Sequence, residues 1–108
     1  SIPPNKETIK IMQYLLENLS NVECLAIRDM SNLDKIDWEK ANLEHLKKLD
    51  LESSKIHARN FAILMEQAPL LDEVDVIYAR IYGEVAWEAF SVRISNKDHL
   101  IDEDDGTD

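Results

Sequence analysis

The chain has 108 residues, 44% of them hydrophobic, which suffices for one domain with a modest core and is too few for two. Its formal charge of −10, from 22 acidic against 12 basic residues, makes DNA, RNA and anionic membrane poor partners, because binding them depends on clustered Lys and Arg. No apolar run approaches the roughly 18 residues of a membrane span, and the N-terminal "SIPPNKETIK" lacks a signal-peptide core.

A single cysteine, Cys24, excludes an internal disulfide framework and fits a reducing compartment, so an intracellular protein, cytoplasmic or nuclear, is expected. The chain begins at Ser1, which suggests a processed or excised piece of something longer.

In chain order, the first expected element is a helix over 5–20, "NKETIKIMQYLLENLS", with Asn5 as N-cap after two prolines and an apolar stripe of Ile9, Met12, Leu15, Leu16 and Leu19. Next come three segments that repeat. "LSNVECLAI" at 19–27 aligns with "LEHLKKLDL" at 43–51 and with "APLLDEVDV" at 68–76, at a period of 24 and then 25. Three columns result: Val22, Leu46 and Leu71; Leu25, Leu49 and Val74; Ile27, Leu51 and Val76. Within each segment the apolar spacing switches from three to two, the mark of a connection entering a strand. A further column, Ile56 and Ile81, lies five residues on, with Leu33 in that role in the first segment.

The returns between these segments differ. "HARNFAILMEQA" at 57–68 places Ala58, Phe61, Ala62, Leu64, Met65 and Ala68 at helical spacing, and Pro69 ends it. "SNLDKIDWEKAN" predicts one or two turns around Trp38, and "GEVAWEAFSVRI" at 83–94 predicts a third helix, with Val85, Trp87, Ala89, Phe90 and Val92 less cleanly sided. The last segment, "IDEDDGTD", holds Asp102, Glu103, Asp104, Asp105 and Asp108. These carry five of the ten net negative charges and leave −5 for residues 1–98. A disordered acidic tail over 99–108 is expected, after one domain over 1–98.

With L-x-x-L-x-L written three times, the chain resembles a leucine-rich repeat protein over about residues 19–90. The resemblance implies an α/β fold: a short solenoid of about three repeats with helical caps, parallel strands on the concave side and helices on the convex side. The commonest form of that family has Asn three residues after the last strand leucine, where Met30, Ser54 and Ala79 stand here; only Ser54 offers a comparable polar group. The long helical returns resemble instead the ribonuclease-inhibitor-like repeats of F-box substrate adaptors. An F-box itself would need about 40 further residues upstream.

Residues between the inward positions face the other side of the strands, which assigns Cys24, Ala26 and Arg28, then Lys48, Asp50 and Glu52, then Glu73, Asp75 and Ile77 to the concave face. Arg28, Lys48, Asp50, Glu52, Glu73, Asp75 and Ile77 are its candidate partner-binding residues. Asp50 beside Asp75 sets like charges about 5 Å apart, at a cost of about 0.2–1 kcal/mol unless solvent relieves it. Three strands offer a patch of only roughly 150–200 Å², against about 800 Å² per partner in a standard interface. Further repeats or a subunit packing on the sheet edges are therefore expected to contribute.

Catalytic patterns are missing: the chain has no G-x-S-x-G and no H-E-x-x-H, and with Gly83 and Gly106 as its only glycines it has no phosphate loop. His45, His57 and His99 are scattered, and neither a metal nor a cofactor is expected. The expectation is a non-catalytic protein–protein interaction module, in its specific form the substrate-recognition part of an F-box-type ubiquitin ligase adaptor. The alternative is a small acidic leucine-rich nuclear protein that binds basic partners such as histones.

Overall fold

Leu25, Leu49, Val74 and Ile94 stand side by side in one parallel register in the computed structural model, which describes residues 6–19 and 21–101. They are the central residues of β1 (Cys24–Ala26), β2 (Lys48–Asp50), β4 (Glu73–Asp75) and β6 (Arg93–Ser95), which form a four-stranded sheet in that order. A second, two-stranded parallel sheet joins β3 (Lys55–His57) to β5 (Arg80–Tyr82), with Ile56 opposite Ile81. Two helices, α1 (Lys6–Glu17) and α2 (Ala58–Gln67), complete this α/β domain with parallel sheets. The expected Asn5 cap and the acidic residues 102–108 lie outside the described residues.

Alternation by two explains the sheet. Each strand turns its middle residue into the core, and the inner strands bury theirs completely: Leu49 and Val74 are buried, whereas Leu25 and Ile94 on the outer strands are only partly covered. The ladder outlasts the three-residue strands. Ile27 and Asp29 donate to the carbonyls of Asp50 and Glu52, and Leu51 and Ser53 donate to those of Asp75 and Ile77, with N···O of 2.8–3.1 Å. At the same point in each of the first three turns one residue adopts positive φ: Asp29 (58°), Ser53 (58°) and Tyr78 (55°). This left-handed kink redirects the chain from the first sheet toward the second.

Ser54 sits just after that kink, buried among apolar neighbours. Its hydroxyl donates to the Ile27 carbonyl (2.7 Å) and accepts from the Met30 N–H (3.1 Å), joining two successive turns. Trp38 is fully buried and its indole N–H donates to the Leu33 carbonyl (2.9 Å), which ties together the two short 3₁₀ turns Leu33–Lys35 and Trp38–Lys40 of the first return. Phe61, from α2, meets Trp87 and Phe90 with ring centroids 5.8 and 5.6 Å apart.

Three expectations are corrected. The segment 83–94 is not a helix: it holds one 3₁₀ turn, Trp87–Ala89, and then the strand β6. Its apolar residues do not share one helical face, and an extended backbone from Phe90 lets Val92 and Ile94 both reach the core while Arg93 faces out. On α1, Leu16 is buried and Ile9, Met12 and Leu19 pack against the core, but Leu15 is exposed together with Ile11 and Tyr14. The stripe assigned from spacing was one residue too wide. Residues 99–101, assigned to the tail, are tied to the body: the His99 carbonyl accepts from the Tyr78 N–H (2.8 Å), and the Ile101 N–H donates to the Ala79 carbonyl (2.9 Å).

Candidate functional site

The outward residues of β1, β2, β4 and β6 form one continuous surface. Where most parallel sheets are covered on both faces, the side chains here are exposed or half-buried, from Cys24 and Ala26 through Lys48 and Asp50 to Glu73 and Asp75. Those residues, with Arg28, line a shallow depression of about 350 Å³. All seven candidates named from the sequence lie on this face or its continuation: Arg28, Lys48, Asp50, Glu52, Glu73, Asp75 and Ile77. The register brings Lys48 opposite Glu73 and Asp50 opposite Asp75.

Register also decides the electrostatics. Cys24, Lys48, Glu73 and Arg93 form one row across the sheet, and Ala26, Asp50, Asp75 and Ser95 the next. In the first row Glu73 accepts from the Ser95 hydroxyl (2.6 Å) and from the Arg93 guanidinium (2.9 Å). These hydrogen bonds, with the charges of Arg93 and Lys48, outweigh desolvation and hold the Glu73 carboxyl below its ordinary range.

In the second row, Asp50 accepts from the Arg28 Nε (2.8 Å), and Arg28 Nη2 approaches the same carboxylate oxygen to 2.6 Å. The hydrogen bond to Asp50 and then its charge raise the Arg28 pKa, with Glu52 and Asp75 adding to the effect. Asp75 accepts from the Asn96 amide (2.9 Å). The like-charge contact foreseen between Asp50 and Asp75 is thus relieved by specific donors on either side.

Both aspartates have a second, local task. Asp50 Oδ1 accepts from the Glu52 N–H (2.9 Å), and Asp75 Oδ1 from the Ile77 N–H (3.0 Å). The two strands therefore end in the same side-chain-to-backbone turn, a common habit of aspartate. Part of the reason for Asp in this column is structural.

The sequence reading missed Arg93 and Ser95 because it assigned them to, or just beyond, a helix. Alternation of Val92 and Ile94 around Arg93 was the available signal. With Arg93 present, three cations (Arg28, Lys48, Arg93) stand among four carboxylates (Asp50, Glu52, Glu73, Asp75), so the face is a nearly balanced charge mosaic rather than an acidic patch.

A second polar cluster lies beneath the other sheet. Asp34 accepts from the His57 N–H (2.8 Å), the Asn60 amide (2.7 Å) and the Tyr82 hydroxyl. Burial opposes ionisation of Asp34, but those three hydrogen bonds and the nearness of His57 win, and its carboxyl is held below the ordinary aspartate value. The His57 Nδ1 accepts from the Arg59 N–H (2.9 Å) as the N-cap of α2, and its ring meets Tyr82 edge-on at 4.8 Å. Every group in the cluster is engaged in joining the first return, α2 and β5.

A larger apolar groove of about 770 Å³ separates α2 from residues 84–92, and it shares no residue with the sheet-face depression. Among the described residues no group of three or more His, Cys, Asp or Glu side chains is placed to hold a metal ion, and no helix is long and apolar enough to cross a membrane. Compared with family models, curated proteins and solved structures, the chain matches none.

Proposed function

We propose that the chain is a non-catalytic protein-interaction module that recognises its partner with the open face of the four-stranded parallel sheet. The observation that carries this reading is the uncovered face itself: parallel strands normally lie under other elements on both sides, and here one side presents a charge mosaic to solvent. The face extends beyond the short strands. About 20 Å of ladder from residue 23 to residue 29 on the first three strands, and a shorter stretch on the fourth, with strands about 4.8 Å apart, gives roughly 350 Å², somewhat under half of one partner's share in a standard interface. The turns at the C-terminal ends of the strands border this area and supply further contact surface.

The finer reading of the fold is a short leucine-rich-repeat solenoid. It is supported by the in-register rows at spacings of 24 and 25 and by the equivalent left-handed turns at Asp29, Ser53 and Tyr78. The bridging role of Ser54 at the family's asparagine position points the same way. With the resemblance to ribonuclease-inhibitor-like repeats, the specific form proposed is the substrate-recognition part of an F-box-type adaptor. An interleaved mosaic favours a partner with both charges over the uniformly basic one that an acidic face would call for.

The test is a pull-down from cell extract with the wild-type chain, with Lys48→Glu/Arg93→Glu, and with Lys10→Glu/Lys35→Glu as a control away from the face. Recovery of a protein by wild type and control but not by the face variant is expected, with all three chains folded and the face variant melting somewhat lower because its two new carboxylates stand opposite Glu73. Equal recovery by all three chains would refute the assignment of the face.

A further inference from the structure

Helix α1 carries an apolar ridge on the side turned away from its own core. Ile11, Tyr14 and Leu15 are 60%, 67% and 54% exposed, and their spacing of three and four puts them together on one face. Three large residues of about 150–200 Å² each, exposed to that degree, present roughly 300 Å² in one patch, the size at which such patches serve as contact surfaces.

The groove of about 770 Å³ between α2 and residues 84–92 has the complementary form. Ala58, Ala62 and Met65 line one wall and Val85, Ala89 and Phe90 the other, and the short alanine side chains on both walls keep it open. Ala58 and Met65 lie about 10 Å apart along α2 at 1.5 Å per residue, and the ridge from Ile11 to Leu15 needs about 6 Å of that length. A chain cannot fill its own groove with its own ridge. Helix α1 is tied to the first return, where the Leu16 carbonyl accepts from the Asn42 N–H (2.8 Å) and the Gln13 amide donates to the Asp37 carbonyl (3.1 Å). Helix α2 stands in between, with the Gln67 amide donating to the Glu39 and Ala41 carbonyls of that return (3.0 and 3.1 Å) and Phe61 meeting Trp87 and Phe90 of the far wall.

Charge points to the same pairing. Arg59, Glu66 and Glu84 border the groove with a net charge of −1, and Lys6, Glu7 and Lys10 lead into the ridge with a net charge of +1. None of these six is in an ion pair with another described residue. Each set therefore offers the other both signs in complementary proportion.

We propose that the groove between α2 and residues 84–92 receives the Ile11–Tyr14–Leu15 ridge of a second copy of this chain. Ridge and groove are different surfaces, so the contact is heterologous: every bound pair keeps one free ridge and one free groove, and association continues into short head-to-tail chains. The ridge supplies well under the roughly 800 Å² per partner of a standard interface, so association is weak, with a dissociation constant on the order of 100 µM. The groove shares no residue with the sheet-face depression, and self-association leaves that face open.

The test is sedimentation velocity on the full chain from about 10 µM to about 1 mM, a range that brackets the expected constant. The weight-average sedimentation coefficient of the wild-type chain should rise with concentration. Leu15→Glu, which spoils the ridge, and Ala89→Glu, which spoils the groove, should each weaken association about tenfold or more, since each sets a charge against an apolar surface. Leu15 and Ala89 are exposed, so both variants should melt with the wild type, and Ala86→Glu replaces Ala89→Glu if the latter melts lower. An equimolar mixture of the two variants should form dimers and nothing larger, because the intact ridge of the Ala89→Glu chain still fits the intact groove of the Leu15→Glu chain. A wild-type chain that stays monomeric throughout would overturn the proposal. So would association that survives Ala89→Glu and Ala86→Glu, or a mixture that remains monomeric.

Discussion

Replacing Ser54 with Ala should be among the most costly single-atom deletions in this domain. The Ser54 hydroxyl is buried and serves two backbone groups at once, accepting from the Met30 N–H at 3.1 Å and donating to the Ile27 carbonyl at 2.7 Å. Alanine removes only the oxygen. The space it leaves is smaller than a water molecule, so solvent cannot take over either bond. Each orphaned group in such a site costs about 1–3 kcal/mol, and a total of about 2–4 kcal/mol is expected, a large part of the 5–15 kcal/mol typical of a domain. Urea unfolding followed by tryptophan fluorescence should show the midpoint falling by about 1–2 M at unchanged slope. Ser31→Ala, exposed in the neighbouring turn, should shift it by less than about 0.5 kcal/mol. A Ser54→Ala midpoint as close to wild type as that of Ser31→Ala would refute the claim that this hydroxyl joins successive turns.

Leu49→Ala removes a buried side chain from the second of four strands and should cost about 2–5 kcal/mol by the same unfolding assay. Gly83 has φ of +91°, and a Cβ there would lie 2.9 Å from His57 Nε2, whose ring is held by its cap bond to Arg59 and its contact with Tyr82. Gly83→Ala should therefore lower stability by about 1–2 kcal/mol from backbone strain alone, measurable as a drop in melting temperature. Asp34 has a folded-state pKa below its unfolded value, so its contribution is fully present above about pH 4 and is lost as pH falls through the lower folded value. Acid titration of stability should show a smaller loss in Asp34→Asn than in wild type over that interval.

Much of the sheet was legible in the sequence, and the reason lies in particular residues. Leu25, Leu49 and Val74 fall in register because alternation by two is written directly into each segment, and Ile56 opposite Ile81 follows from the same columns. The fourth strand was hidden because its partner spacing is 20 residues, from Val74 to Ile94, where the earlier steps are 24 and 25. Trp87 and Phe90 also imitate a helical pattern while packing on Phe61 from a single turn. That one misassignment removed Arg93 from the face and made a charge mosaic read as an acidic cluster. The hydrogen bonds from the backbone to Asp50 and Asp75 were within reach of local reasoning, since aspartate commonly accepts from the N–H two residues on. The convergence of Asp34, His57, Asn60 and Tyr82 was not, because it joins residues up to 48 positions apart that carry no common pattern.

The open sheet face is most directly tested with Cys24, the chain's single cysteine, which is exposed at one end of the row containing Lys48, Glu73 and Arg93. A thiol-linked photo-crosslinker placed there needs no mutation of the protein and reaches only what approaches the face. Irradiation in cell extract should give a discrete protein adduct that disappears in Lys48→Glu/Arg93→Glu and persists in Lys10→Glu/Lys35→Glu. An adduct pattern that is the same in all three chains, or none in any of them, would contradict the assignment of this face as the recognition surface.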